Sequence, residues 1–292
     1  MILWQIIKDF FCKPKTTTTT TTNTIKDDGI SKKRSLWLGI NNYPGTANDL
    51  RGCVNDSNEW SKLVRDKFRF DEVLIVNDKQ AVKKNLIDKW DKLVSKSKIG
   101  DTLVFGYSGH GTTTPDRGEK DEVDGKDEAI CLYDSLLIDD ELRAMLDKVP
   151  KGVKLIVVID SCHSGTVTRA FLNTMSDNSF YSKPRFIPPE NDLVASSMDE
   201  LPLKKRLGYS EEGMNHILLT GTNSTTYSYD AYIGGKHCGA FSHYAIEILK
   251  ANSSITFNDF YEKLKKKLPS NQYPQYPQLE GPESLKNTIM FE

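Results

Sequence analysis

Two periodicities alternate along the chain. Short apolar runs, Ser35 to Ile40, Val73 to Val76, Leu103 to Phe105, Leu155 to Ile159 and Asn215 to Thr220, have the length of strands. The run at 155–159 also has the β-branched content of a strand buried on both faces. Between these runs apolar residues recur at helical spacing. Leu50, Val54, Trp60, Leu63 and Val64 predict a helix within 49–68, Val82, Leu86, Trp90 and Leu93 a second over about 79–95, and a third spans 138–149. Further helices are expected at 239–249 and 257–268, with Thr288 to Phe291 as an edge strand and the proline-rich Tyr273 to Gln278 outside any helix. Strands alternating with helices of this length predict an α/β fold, a mostly parallel β-sheet sandwiched by helices on both faces.

The amino-terminal segment departs from this pattern. Met1 to Lys13 is apolar but interrupted by Gln5, Lys8 and Asp9, too short for a transmembrane helix of about 20 residues and without the basic start and small-residue cleavage site of a signal peptide. It reads as a docking or disordered segment, or a weak membrane-surface anchor. Seven consecutive threonines, Thr16 to Thr22, follow as a linker unable to pack a core. Residues 1–31 are therefore read as an arm and linker, and residues 32–292 as the folded domain. The 39 basic and 40 acidic residues leave a net charge of −1, which gives no electrostatic case for nucleic acid or an anionic membrane. Five cysteines, an odd number with no C-x-x-C pair, favour a reducing, cytoplasmic setting over a disulfide scaffold.

Two of the strands run into potential catalysts. The run 155–159 passes straight into Asp160-Ser161-Cys162-His163-Ser164-Gly165, and Leu103 to Phe105 into Gly106-Tyr107-Ser108-Gly109-His110-Gly111. Ligands bind at the carboxyl ends of the strands of an open parallel sheet, so neighbouring strands would deliver Cys162 and His110 to one crevice. A thiol with a free pKa of about 8.5 is mostly protonated at neutral pH and needs an adjacent imidazole to act as a nucleophile. A buried structural cysteine and a surface histidine are the plain alternative, weakened by the two strand-end positions. His163 is a rival base, but consecutive side chains of an extended segment face opposite ways, which favours His110. His216, His237 and His243 lack a strand-end setting and read as structural.

Together, Y-S-G-H-G and D-S-C-H-S-G resemble the His and Cys motifs of the metacaspases, in the caspase-like cysteine peptidase clan, and the likeness runs from about Ser35 to the carboxyl terminus. The separation of His110 and Cys162 fits the roughly 50 residues of the caspase pattern. The resemblance implies a caspase-like fold with a large-subunit-like part (32–165), a processing or activation loop (166–213) and a small-subunit-like part (214–292). It implies a Cys162-His110 dyad, with the oxyanion held by the backbone amides of Cys162 and Gly111. It also implies that Cys53 and Asp56, in a G-C-x-x-D segment, join Ser108 and Asp160 around the pocket for the residue before the scissile bond. Carboxylates converging in a confined site disfavour each other's ionisation unless a cation enters. The substrate residue is thus expected to be Arg or Lys, with Arg favoured for its planar fork. Asp230 is expected at the border of the groove.

The acidic stretch Asp116 to Glu128 fails the EF-hand template, because Lys120 and Cys131 fall where its first and last ligands belong. Metacaspases often bind calcium, and the resemblance matches three ligands to Asp127, Asp139 and Asp140. The fourth falls near Arg169, which cannot ligate a cation, so calcium stays an open expectation. The long loop carries Lys183, Arg185 and Lys204-Lys205-Arg206, where an enzyme preferring basic residues would clip itself. The expected function is that of a cysteine endopeptidase, a monomer acting on proteins or peptides with Arg or Lys before the cut. The alternative is a catalytically idle caspase-like module that holds a basic peptide in the same groove.

Overall fold

The computed structural model describes residues 30–115, 126–162, 182–197, 214–223 and 225–292. Strand β1 (Lys33–Gly39) is followed by α1 (Cys53–Asp66), β2 (Glu72–Asn77), α2 (Lys83–Ser95) and β3 (Thr102–Ser108). Three antiparallel strands, β4 (Gly111–Pro115), β5 (Lys126–Cys131) and β6 (Leu136–Ile138), lead into α3 (Asp139–Leu146) and β7 (Lys154–Asp160). After these come β8 (Ser182–Pro184), α4 (Asp192–Ser197), β9 (His216–Thr220), β10 (Tyr229–Ile233) and β11 (Lys236–Gly239). The chain ends with α5 (Ala240–Ala251), α6 (Phe257–Leu264), β12 (Gln278–Glu280) and α7 (Glu283–Lys286). The main sheet has the order β12-β9-β7-β3-β1-β2 and is parallel except for β12. It is the α/β, caspase-like arrangement that the motifs implied.

The apolar runs sort cleanly onto the two faces of this sheet, as the two-residue period of a strand requires. Leu36 and Leu38 of β1, Leu103 and Phe105 of β3, and Leu155, Val157 and Ile159 of β7 join one core with Leu86, Trp90 and Leu93 of α2. The intervening residues Trp37, Val104, Ile156 and Val158 join the other with Trp60, Leu63 and Val64 of α1 and Phe241, Ala245 and Leu249 of α5. Burying β1, β3 and β7 on both sides explains why they read as continuous apolar runs.

Several elements differ from the sequence expectation. Helix α1 begins at Cys53 rather than Asp49, because the Asn41 side-chain oxygen accepts from the amides of Cys53 (2.8 Å) and Val54 (3.2 Å) and satisfies the start of the helix there. Residues 111–115 form a strand that their threonines concealed, since Thr112, Thr113 and Thr114 are polar in type yet buried. The loop 166–213 contains a strand and a helix, β8 and α4, and the expected loop around Asp230 is β10. Thr288 to Phe291 is not an edge strand; it supplies one isolated bridge, Thr256 to Ile289, and the edge is β12, directly after the last proline of the 273–278 stretch. His163, Arg169, Lys204 to Arg206, the arm and most of the acidic stretch lie outside the described residues. Among the described residues no helix is long and apolar enough to cross a membrane.

Trp37 stacks on Trp60 with ring centroids 5.2 Å apart and planes 8° from parallel. Gly106 on the neighbouring strand makes room for this pair, since a Cβ there would lie 2.0 Å from the Trp37 ring. Gly106→Ala is expected to destabilise the fold by about 1–3 kcal/mol through overpacking, read as a lower urea midpoint at unchanged m-value.

Candidate active site

In the register of β3 and β7, Ser108 lies opposite Asp160, so the His and Cys motifs leave the sheet side by side at its carboxyl edge. What fills that edge is the chain itself. β8 pairs antiparallel with β10, Pro184 opposite Tyr229, and Arg185 continues along the same edge with its amide donating to the Ser228 carbonyl (2.9 Å). The Arg185 carbonyl oxygen then accepts from two amides, Gly111 at 3.0 Å and Cys162 at 3.1 Å.

The Arg185 side chain is fully buried among carboxylates. Its Nη2 lies 2.7 Å from Asp56 Oδ2 and 3.1 Å from Asp230 Oδ1, and its Nη1 lies 3.0 Å from Asp160 Oδ2. Nη1 also donates to Ser108 Oγ (2.8 Å) and to the Asp160 carbonyl (3.2 Å). Backbone amides hold each carboxylate in turn. Asp56 accepts from the Gly239 amide (2.9 Å), Asp160 from Ser242 (3.1 Å), and Asp230 from Arg51 and Gly52 (both 2.8 Å) just before α1. Gly239 and Ser242 lie at the start of α5, so the amino ends of two helices converge on the pocket, where the helix dipole favours negative charge. Ser228 Oγ donates to Asp160, and Ser108 Oγ donates to Asp56 at 2.8 Å.

The family model for the metacaspase peptidase C14 domain matches residues 33–170. Metacaspase-1 of Botryotinia fuckeliana is 30% identical over 297 residues, covering 89% of this chain and 70% of that protein. This chain belongs to the metacaspases. Metacaspase-7 of Arabidopsis thaliana is 43% identical, but over a stretch that covers 46% of this chain and 35% of the plant protein. The chain thus spans only about a third of the length of such plant relatives. Among solved structures, a Geobacter sulfurreducens protein aligns with a TM-score of 0.72 at 26% identity, over 89% of this chain and 98% of that one. Caspase-1 of Spodoptera frugiperda aligns at 0.56 and 13% identity, over 86% of this chain and 87% of that one, a likeness of fold.

In this metacaspase Cys162 is completely buried, and its sulfur accepts from the Ser228 amide (2.7 Å). Burial pushes the thiol well above its ordinary pKa. His110 is buried as well, its Nε2 2.7 Å from the Asn48 carbonyl and its Nδ1 without a hydrogen-bond partner among the described residues. Burial, with the charges of Lys183 and Arg185 nearby, lowers its pKa from 6.5 to about 3. Thiol and imidazole therefore both rest neutral. Burial raises Asp56 while Arg185 draws it back and Asp160 pushes it up again, leaving it at about 6. Cys53, one helical turn before Asp56, is buried, with its thiol raised by desolvation and in interaction with Arg185 and Ser108.

The sequence pointed to Cys53, Asp56, Ser108 and Asp160 around this pocket and to Asp230 at the border of the groove; Asp56, Ser108, Asp160 and Asp230 all touch Arg185, Asp230 from inside the pocket, and Cys53 lies one turn from Asp56. Sequence reasoning missed Ser228, Ser242 and Gly239. Only Gly239 carried a signal, as the glycine opening a helix: a Cβ there would sit 2.1 Å from Asp160 Oδ2 and 2.6 Å from Arg185 Nη1. Arg185 was legible as a basic residue in a loop, not as the occupant of the pocket. The proposed calcium residues sit elsewhere, Asp127 on β5 and Asp139 and Asp140 at the start of α3, where Arg143 lies 3.5 Å from Asp139 and 3.0 Å from Asp140. Among the described residues no group of three or more His, Cys, Asp or Glu is disposed to hold a metal ion.

The depressed pKa of His110 has a measurable consequence. The unfolded chain binds a proton that the folded chain refuses between about pH 6.5 and pH 3, so His110 makes stability rise with pH through that window and level off above it. His110→Gln, compared with its parent by urea unfolding in a Cys162→Ala background, is expected to lose that part of the rise.

Proposed function

We propose that this metacaspase is a cysteine endopeptidase that cleaves after Arg, and less readily after Lys, and that its first substrate is its own Arg185-Phe186 bond. The observation that carries this reading is the double seating of Arg185: a guanidinium among three carboxylates and a carbonyl on two amides, one of them that of Cys162. A basic side chain bound elsewhere would not align its carbonyl in this way. The planar fork of Arg reaches all three carboxylates through two nitrogens, a geometry that a lysine ammonium cannot reproduce.

The reaction follows from these positions. Cys162 Sγ adds to the Arg185 carbonyl carbon as its proton passes to His110 Nδ1, the nitrogen left bare because Nε2–H is committed to the Asn48 carbonyl. The electron pair of the broken C=O π-bond moves onto the oxygen facing the Gly111 and Cys162 amides. Collapse breaks the C–N bond, His110 returns the proton to the leaving amine of Phe186, and a thioester remains on Cys162. Water, deprotonated by His110, then releases the Arg185 carboxylate and restores the thiol. Neutral resting partners suit this sequence, because the proton moves with the attack rather than before it.

The same reading carries a monomeric, cytoplasmic working state and peptide or protein substrates. Calcium activation remains a proposal from the resemblance alone, and no step above is routed through it. Arg143 offsets at most one of the two charges of Asp139 and Asp140.

The purified full chain is expected to yield fragments 1–185 and 186–292. Arg185→Lys should slow this cut, Arg185→Ala should remove it, and Cys162→Ala should remain intact and fail to turn over an Arg-coumarin peptide. An intact wild type that binds the peptide without cleaving it would support the idle module instead. Calcium activation predicts a self-cleavage rate that rises from chelator to millimolar calcium and loses that rise in Asp140→Ala; equal rates in chelator and calcium would remove it.

A further inference from the structure

The two residues after Arg185 are held as firmly as Arg185 itself. The backbone of Gly111 brackets them: its amide donates to the Arg185 carbonyl and its carbonyl accepts from the Ile187 amide, each at 3.0 Å, so that Phe186 forms a parallel bridge with Gly111. These are main-chain contacts, available to any peptide that passes the same edge. The side chains add the discrimination. Phe186 is 9% exposed and belongs to the same core cluster as Cys162 and Tyr227, its ring centroid 6.1 Å from that of Tyr227. Ile187 is 1% exposed and joins the opposite core cluster, with Leu132 and Leu137. Alternate side chains of an extended segment thus enter apolar surroundings on opposite sides.

We infer that the space now holding Phe186 and Ile187 forms two further substrate subsites, taking a bulky apolar residue immediately after the cut and a second apolar residue next to it. The preferred substrate class is therefore a basic residue followed by two apolar ones, rather than any exposed Arg or Lys. This rests on the peptidase reading above and deepens it. The walls belong to the scaffold rather than to the departing segment: Tyr227 immediately precedes Ser228 and β10, and Gly111 opens β4. A carboxylate at either position would lose its hydration among apolar side chains with no cation supplied, whereas a large apolar side chain gains from leaving water.

The test uses the wild-type full chain after self-cleavage, run in both chelator and calcium. Its substrates are internally quenched peptides identical except after the arginine: Arg-Phe-Ile, Arg-Leu-Ile, Arg-Ala-Ile, Arg-Glu-Ile and Arg-Phe-Glu. An Arg-coumarin reporter, which has no amino acid after the arginine, reads the basic pocket and the dyad alone. The expected result is a kcat/KM for Arg-Phe-Ile at least tenfold above those for Arg-Glu-Ile and Arg-Phe-Glu, with Ala between, a tenfold ratio being about 1.4 kcal/mol. Tyr227→Ala should compress the Phe-to-Ala ratio more than it changes reporter turnover. Equal rates across the quenched series, with the reporter cleaved, would overturn this inference and leave the peptidase standing. No turnover of reporter or peptides, together with an uncut Arg185-Phe186 bond, would overturn both.

Discussion

One buried guanidinium governs the arrangement of the carboxyl edge of the sheet. Arg185 is fully out of water, and so are the three carboxylates around it. Removing one member of such a set leaves uncompensated charge in a low-dielectric interior, a loss of about 3–5 kcal/mol in comparable cases. The carboxylates come from α1, from the end of β7 and from β10, and their amide partners come from the start of α5 and the turn before α1. A cation in this position therefore ties together elements that are distant in sequence. Three acids against one base leave excess negative charge, which the backbone amides of Arg51, Gly52, Gly239 and Ser242 help to offset, while burial raises the pKa of Asp56.

That electrostatic setting also bears on the dyad. Burial disfavours the His110 imidazolium, and the charges of Lys183 and Arg185 add to it. Cys162 lacks water for its thiolate. With Arg185 in the pocket, burial favours the uncharged form of both side chains.

Much of this was legible in the sequence, for a definite reason. β1, β3 and β7 lie at the centre of the sheet, buried on both faces, so their apolar runs were unbroken and their polar ends conspicuous. Cys162, His110 and Asp160 drew notice because they stand where such runs stop. The peripheral strands were not. β4 is built from threonines whose burial their type does not reveal, and β8 and β10, which pair with each other across a long separation, both lie in segments that read as loop. The same limit hid Ser228 and Ser242, since a serine bonded to a carboxylate has the same letter as one in solvent. It also hid the role of Arg185, because local pattern records that a residue is basic and not which distant acids will surround it.

Asp230 performs two tasks with one carboxylate. Its oxygens receive the amides of Arg51 and Gly52 at the entrance to α1, and one of them also receives Arg185. The seating of Arg185 and the anchoring of a core helix are thereby mechanically inseparable at this position. A substitution here would loosen the entrance to α1 at the same stroke as it released the guanidinium, whereas Asp56 and Asp160 hold Arg185 without touching the Arg51 and Gly52 amides.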